Sequence, residues 1–220
     1  MHRPALRRIL AAALPAILVL GLLPPAAGAA TTVSATPLNL LKRLKTATER
    51  RTGYDRALFP HWIDADGDRC DTRAEVMIEE STTPVSVSST CWVSGGTWYS
   101  AYDGQTTTVW GDIDVDHVVA LAEAWDSGAW GWTAARRRDF ANDLGDPRSL
   151  RGVTDNVNMS KSDRDPAEWL PPLTSFHCTY VTEWVVVKVR WKLTVDSAER
   201  SRISSILAGC PARTVTVVIP

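Results

Sequence analysis

Four cysteines, Cys70, Cys91, Cys178 and Cys210, limit what this chain can fold into more than any other feature. No two stand close enough to form the paired hook of a zinc site, so two disulfides are the favoured reading and a zinc site its rival. Four cysteines allow three pairings. Cys70 with Cys91 and Cys178 with Cys210 are expected, because each pair brackets one compact segment. Disulfides belong to an oxidising compartment, and the start of the chain agrees. Arg3, Arg7 and Arg8 precede an apolar run over 9–23, and Ala27-Gly28-Ala29 offers small residues for cleavage. Pro15 and Gly21 interrupt the run, which is shorter than the roughly 20 apolar residues of a spanning helix. Residues 1–29 therefore read as a removable export signal rather than an anchor.

The remainder, 30–220, is long enough to bury a sizeable core and needs no second domain. The three arginines of the signal stand beside no acid, so their removal takes the formal net charge from −1 to −4. A mildly acidic chain gives no global argument for nucleic acid; any such argument must be local.

Hydrophobic periodicity then sorts the segments. Leu38, Leu41 and Leu44 lie three apart after Pro37, with basic residues between them, which predicts an amphipathic helix behind a short polar lead at 31–36. Residues 82–93 are rich in Thr, Ser and Val and read as strands after a helical turn over 73–80. Gly95-Gly96 and Asp103-Gly104 are two hairpin signals. From Val118 the pattern turns helical, Thr133 is a plausible N-cap for the next helix, and 149–153 suits a short strand. Residues 180–193 fit a helix or, through their valines, a strand; helix is preferred. Asp196 and Glu199 form a capping box for a helix closed by Gly209.

One stretch resists a purely structural reading. "GDIDVDHVVALAEAW" alternates Ile113 and Val115 as a half-buried strand does, yet carries Asp112, Asp114, Asp116 and His117. Asp116 and His117 are neighbours on a strand, so their side chains leave on opposite faces unless the chain bends. About forty residues later a short strand leads into a helix with Asn156, Asn158 and Lys161. Together these outline a β-β-α unit around one cation. Asp112 and Asp114 are expected to face solvent or to support the site.

The segments "DVDHVVALAEAWDSGA", "RRRDFANDL" and "NVNMSKSDRDPAEWLPP", with the tail "CTYVTEWVVVKVRWKLTVDSAE", resemble secreted actinobacterial HNH-endonuclease-like proteins. Those are relatives of the C-terminal nuclease domain of modification-dependent restriction enzymes. The likeness runs from about Tyr54 to Cys210. It implies an α+β fold with a ββα-metal (HNH-like) core at about 110–170, surrounded by helices and hairpins and stapled by disulfides. It also implies a secreted endonuclease. By position, Asp116 matches the metal-binding acid, His117 the general base and Asn158 the helix residue that completes the metal site. Asn142 matches a residue that orients the histidine ring, and Arg73 a phosphate clamp. Ala120 stands where Pro is usual and Ala74 where Asn is common; neither change removes a reacting group.

Elementary chemistry supports the transfer. Phosphodiester hydrolysis needs a water activated for attack, which a neutral His can provide, and positive charge on the developing anion. Carboxylate and amide oxygens are hard donors that favour Mg²⁺, with Mn²⁺ or Ca²⁺ as alternatives. Lys161, Arg136, Arg137 and Arg151, with Arg138, Arg148 and Arg164, are the local basic groups that could hold a phosphate backbone. No base-reading motif is present, so DNA, ahead of RNA, is expected to be cut with little sequence specificity by a monomer free of the membrane.

Two other readings compete. Asp64, Asp66, Asp68 and Glu75 take positions 1, 3, 5 and 12 of an EF-hand-like loop, but position 6 is Arg69, where the loop requires Gly. An Asp-rich turn stapled by a disulfide is preferred there over a structural Ca²⁺ site, although a non-catalytic Ca²⁺-binding module remains an alternative function. A cell-wall glycan hydrolase using Asp116 and Glu123 as paired carboxylates is the third. His61 and His177 lack evident partners and are taken as non-catalytic, and the tryptophans mostly as core.

Overall fold

The computed structural model describes residues 31–220, so the expected export signal lies outside the described residues. The fold is α+β, with helices around four two-stranded antiparallel sheets among these residues. In chain order it runs β1 (Thr31–Ala35), α1 (Pro37–Arg43), α2 (Thr72–Glu79), β2 (Val85–Val87), β3 (Val93–Gly95), β4 (Trp98–Tyr99), β5 (Thr106–Thr107) and β6 (Ile113–His117). Then follow α3 (Leu121–Asp126), α4 (Ala134–Ala141), β7 (Leu150–Thr154), α5 (Asp155–Lys161), α6 (His177–Trp191), α7 (Ser197–Ala208) and β8 (Val215–Ile219).

Several ends form where the sequence chemistry puts them. Thr36 caps α1 ahead of Pro37, Thr133 caps α4, and Asp196 with Glu199 closes a reciprocal capping box on α7. Both expected disulfides are present, Cys70–Cys91 and Cys178–Cys210. The second ties the first turn of α6 to the end of α7.

Helix α6 is the centre of the larger core. Tyr180, Val181, Trp184, Val185, Val186, Val187 and Trp191 are all buried, which leaves this helix little solvent face. Its valines read equally as strand because a helix buried all round loses the one-sided pattern. Charges inside this core are paired: Lys188 Nζ lies 2.7 Å from Glu123 and from Glu199, and Arg190 Nε lies 2.7 Å from Asp143. A smaller core of Val76, Met77, Trp98, Ile113, Val115 and Leu150 lies under β6 and β7.

Three expectations are corrected. The polar lead at 31–36 is mostly strand β1, which pairs with β8 from Thr31–Ile219 to Ala35–Val215. Gly95-Gly96 does not join a hairpin: β3 pairs back to β2 and β4 forward to β5, so this turn links two hairpins, whereas Asp103-Gly104 does lie within one. Gly96, at φ +94°, passes so close to the Trp98 ring that a Cβ would come within 2.6 Å of it. Helix α3 starts at Leu121 rather than Val118, whose N–H still donates to Ser149 O beside β7.

What positions the site is the sequence β6, β7, α5. The two strands pair antiparallel, with Asp116 opposite Arg151 and His117 opposite Leu150, and α5 follows β7 directly and packs on both.

Candidate active site

Asp116 and His117 end β6, and their side chains meet different elements. Asp116 is buried: Oδ1 accepts from Lys161 Nζ of α5 at 2.8 Å, and Oδ2 accepts from the Tyr102 hydroxyl at 2.8 Å. Burial pushes this carboxyl above its ordinary range, against the pull of the Lys161 ammonium and both hydrogen bonds. Lys161 also donates to His117 O at 2.9 Å, so it ties helix α5 to the last two residues of the strand.

The His117 ring packs on the other side, 5.2 Å from the Trp62 ring at 24° and 6.5 Å from Phe140 at 19°. Its Nε2 is 2.9 Å from Ala141 O at the end of α4. A carbonyl only accepts, so the proton sits on Nε2 and the lone pair on Nδ1. Burial pushes the imidazole down to about 3, with Arg56, His61 and Lys161 acting in the same direction, and the ring is neutral at ordinary pH.

A cavity of about 310 Å³ is lined by Asp116, His117, Asn158, Arg56, Tyr54 and Met159 among others. Asn158 stands on α5, where its Nδ2 donates to Asp114 Oδ2 at 3.2 Å. Its amide oxygen thereby lacks a hydrogen-bond partner among the described residues, and Asp114 takes the supporting place expected for it. Arg56 is exposed at the rim, with one long contact of 3.4 Å to His61.

Asp116 and Asn158 offer hard oxygen donors of the kind a divalent cation takes. Asp116 keeps acceptor capacity beyond its two hydrogen bonds, because each carboxylate oxygen has two lone pairs, and the Asn158 oxygen is unengaged. The Lys161 ammonium on Asp116 would oppose a cation there by like charge.

Other expected site residues lie elsewhere. Asn142 makes no hydrogen bond to the histidine ring: Nδ2 donates to Pro60 O and Arg138 O, and Oδ1 accepts from Ile63 N and Thr72 Oγ1. It staples the 60–63 segment that carries His61 and Trp62 against His117. Arg73 does not line the cavity; it donates to Ile113 O at 2.7 Å and lies over Trp110. Arg136 sits over Trp132 and Trp191, Arg137 donates to the carbonyls of Leu58, Ala129 and Trp132, and Arg151 pairs with Glu183. Each holds the fold together rather than facing the cavity. Glu123 is committed to Lys188 in the core and does not line the cavity, so it makes no glycosidase pair with Asp116.

Sequence reasoning missed Arg56, Trp62 and Tyr102. The signal available was "YDRALFPHWID", where Arg56, His61 and Trp62 crowd around Pro60. Trp62 has φ +58°, a costly conformation for a bulky residue, and it sits against His117. His61, expected to lack partners, bonds Phe59 O through Nδ1 at 2.8 Å and lies 6.3 Å from the His117 ring.

β6, β7 and α5 thus form a β-β-α unit that presents a neutral histidine beside oxygen donors. Residues 72–206 match the family described as GmrSD restriction endonucleases, C-terminal domain, and the chain belongs to that family. A relative from the fungus Arthroderma benhamiae (strain ATCC MYA-4681 / CBS 112371), called an uncharacterized secreted protein, is 48% identical over 158 residues. The alignment covers 72% of this chain and 76% of the relative. The resemblance is thus not confined to actinobacterial proteins. No solved structure matches the chain. The matched span begins at Thr72, after the rim segment with Arg56 and Trp62.

Proposed function

We propose that this chain is a secreted, metal-assisted endonuclease that hydrolyses phosphodiester bonds, DNA ahead of RNA, with little sequence specificity. On this reading 30–220 is one nuclease domain acting as a monomer, with an HNH-type ββα-metal centre built from β6, β7 and α5. The observation that carries it is the His117 ring, held neutral with Nε2–H on Ala141 O and lining the same cavity as Asp116 and Asn158. Family membership supports nuclease chemistry. The two disulfides and the name of the fungal relative support secretion, and among the described residues no helix is long and apolar enough to cross a membrane.

His117 Nδ1 takes a proton from water as the water oxygen bonds phosphorus and the P–O3′ bond breaks. The Ala141 carbonyl holds the ring by its other nitrogen and steadies the imidazolium that forms. Asp116 and Asn158 would hold a divalent cation, Mg²⁺ before Mn²⁺ or Ca²⁺, which would supply Lewis acidity for the charge developing on phosphate and leaving oxygen. Lys161 and Tyr102 fix the Asp116 carboxylate, and Arg56 at the rim steers and clamps the backbone phosphate.

The test is supercoiled plasmid incubated with the mature, disulfide-intact protein and Mg²⁺ or Mn²⁺. Nicking that requires metal, stops in EDTA and drops at least about a hundredfold in His117→Ala is expected. Equal inertness of folded wild type and variant on both DNA and RNA would refute the assignment.

A further inference from the structure

Outside the His117 cavity, the described residues hold a second concentration of carboxyl groups behind α3. Glu49, Glu123 and Asp126 each bring one carboxylate oxygen to a common point, all within 4.8 Å of one another. Glu49 makes a second such group with Asp165 and Asp196. With Glu199, which shares Lys188 with Glu123, six carboxyl groups lie close together, and Lys188 and Arg51 pair with three of them. Arg51 is itself divided between Asp126 and Asp163. The carboxyl groups thus outnumber the cations that pair with them, in a partly desolvated place.

A separate observation points to a ligand. Asp126 is only 3% exposed; its Oδ2 takes both Arg51 contacts, from Nε at 2.7 Å and from the terminal nitrogen at 2.6 Å. Its Oδ1 is buried with no hydrogen-bond partner. A buried carboxylate oxygen without a donor costs about 1–3 kcal/mol or more unless something satisfies it, and here the neighbours able to approach are other carboxylates. A bound cation can serve all three at once, whereas a proton shared between two of them serves only that pair.

We infer that Glu49, Glu123 and Asp126 form a structural Ca²⁺ site, separate from the catalytic centre. Three carboxylates are hard oxygen donors of the kind Ca²⁺ takes. Bonds of about 2.4 Å let one ion bridge oxygens up to about 4.8 Å apart, and no pair in this group is farther apart than that. Extracellular Ca²⁺ modules work at about 10⁻⁴ to 10⁻³ M, suited to an exported protein. Mg²⁺ needs shorter bonds and stricter octahedral geometry, so it binds this looser group more weakly.

The placement gives the ion a task. Glu49 lies on the irregular segment that continues to Tyr54 and Arg56 of the cavity, while Glu123 and Asp126 belong to α3, which follows His117 by a three-residue link. Arg51 spans from Asp126 to Asp163, a residue of the cavity wall. An ion there fastens the rim segment to the helix behind the base. The exposed Asp64, Asp66 and Asp68 loop differs: Asp64 accepts from Gly67 N and Arg69 N, Asp66 from Asp68 N and Asp68 from Cys70 N, so its carboxylates already close their own turn.

The experiment is thermal unfolding of the mature, disulfide-intact protein, stripped with EDTA and titrated with Ca²⁺ or Mg²⁺. Wild type, Glu49→Gln and Asn158→Ala are compared; Glu49 is exposed, so its amide variant folds. Millimolar Ca²⁺ is expected to raise Tm by about 5 °C or more in wild type and in Asn158→Ala. Mg²⁺ should shift it less, and the Ca²⁺ shift should largely vanish in Glu49→Gln. No Ca²⁺ shift in wild type overturns the site. So does a shift that survives in Glu49→Gln, and one lost in Asn158→Ala alone would move the ion to the catalytic cavity.

Discussion

Two lysines in this protein are fully buried, and they do different things. Lys188 in α6 sits among Glu123, Glu199 and Thr194 O, sealed in the larger core. Lys161 in α5 sits on Asp116 and His117 O, and beyond Asp116 lies an open cavity. The pairing chemistry is nearly the same. What separates a structural ion pair from a site is the environment of the carboxylate: Glu199 is enclosed by protein, whereas Asp116 borders space shared with an imidazole and an amide oxygen. A buried salt bridge by itself is weak evidence for function or for stability; its neighbours decide.

The largest effect should come from the sealed side. Lys188→Ala leaves the buried Glu199 without its cation and is expected to cost about 3–5 kcal/mol in denaturant unfolding. Lys161→Ala should cost less, about 1–3 kcal/mol, because water from the cavity can reach Asp116, yet it should also depress plasmid cleavage. Equal stability losses in the two variants would erase the contrast between sealed and open carboxylates.

Acid provides a finer probe of the open side. The His117 imidazole is lowered to about 3 in the folded protein against an ordinary value of 6.5. A lowered value means that the stabilisation from keeping the ring neutral is complete above pH 6.5 and is lost as pH falls towards 3, by about 1.4 kcal/mol per unit inside that window. Cleavage should therefore show no loss centred near pH 6.5. An acid limb at that pH would show that the ring titrates freely.

The smallest effect should be at the rim. Arg56→Ala is expected to raise KM about tenfold and to weaken its salt dependence, with little change in unfolding. Arg136→Ala and Arg151→Ala should behave in the opposite way, lowering stability while leaving KM in place. Binding measured against salt concentration, set beside melting curves, separates the two classes.

What the sequence made legible was local. The capping box on α7, the Thr133 cap and the pairing of nearby cysteines depend on residues a few or a few tens of positions apart, and they appear as expected. So does the β6, β7, α5 order that brings Asp116, His117 and Asn158 to one cavity. Strand β1 was hidden because its partner β8 lies at the other end of the chain, and "TTVSA" alone carries no strand alternation strong enough to announce it. The arginines of α4 looked like a solvated or phosphate-binding face. Spacing cannot show that Arg136 lies 4.9 Å from the Trp132 ring centroid or that Arg137 caps carbonyls. Arg56 and Trp62 were missed because their segment has only one short 3₁₀ turn, and only the fold carries it to His117.

The central claim is that His117 offers an unprotonated Nδ1 to the cavity while Nε2–H stays on Ala141 O. Nitrogen NMR of the protein labelled with ¹⁵N-histidine, followed from pH 8 to pH 5, tests it directly. The account predicts one ring fixed as the neutral Nε2–H tautomer throughout, its signal assigned by loss in His117→Ala. A His117 ring that carries its proton on Nδ1, or that becomes doubly protonated near pH 6.5, would contradict it.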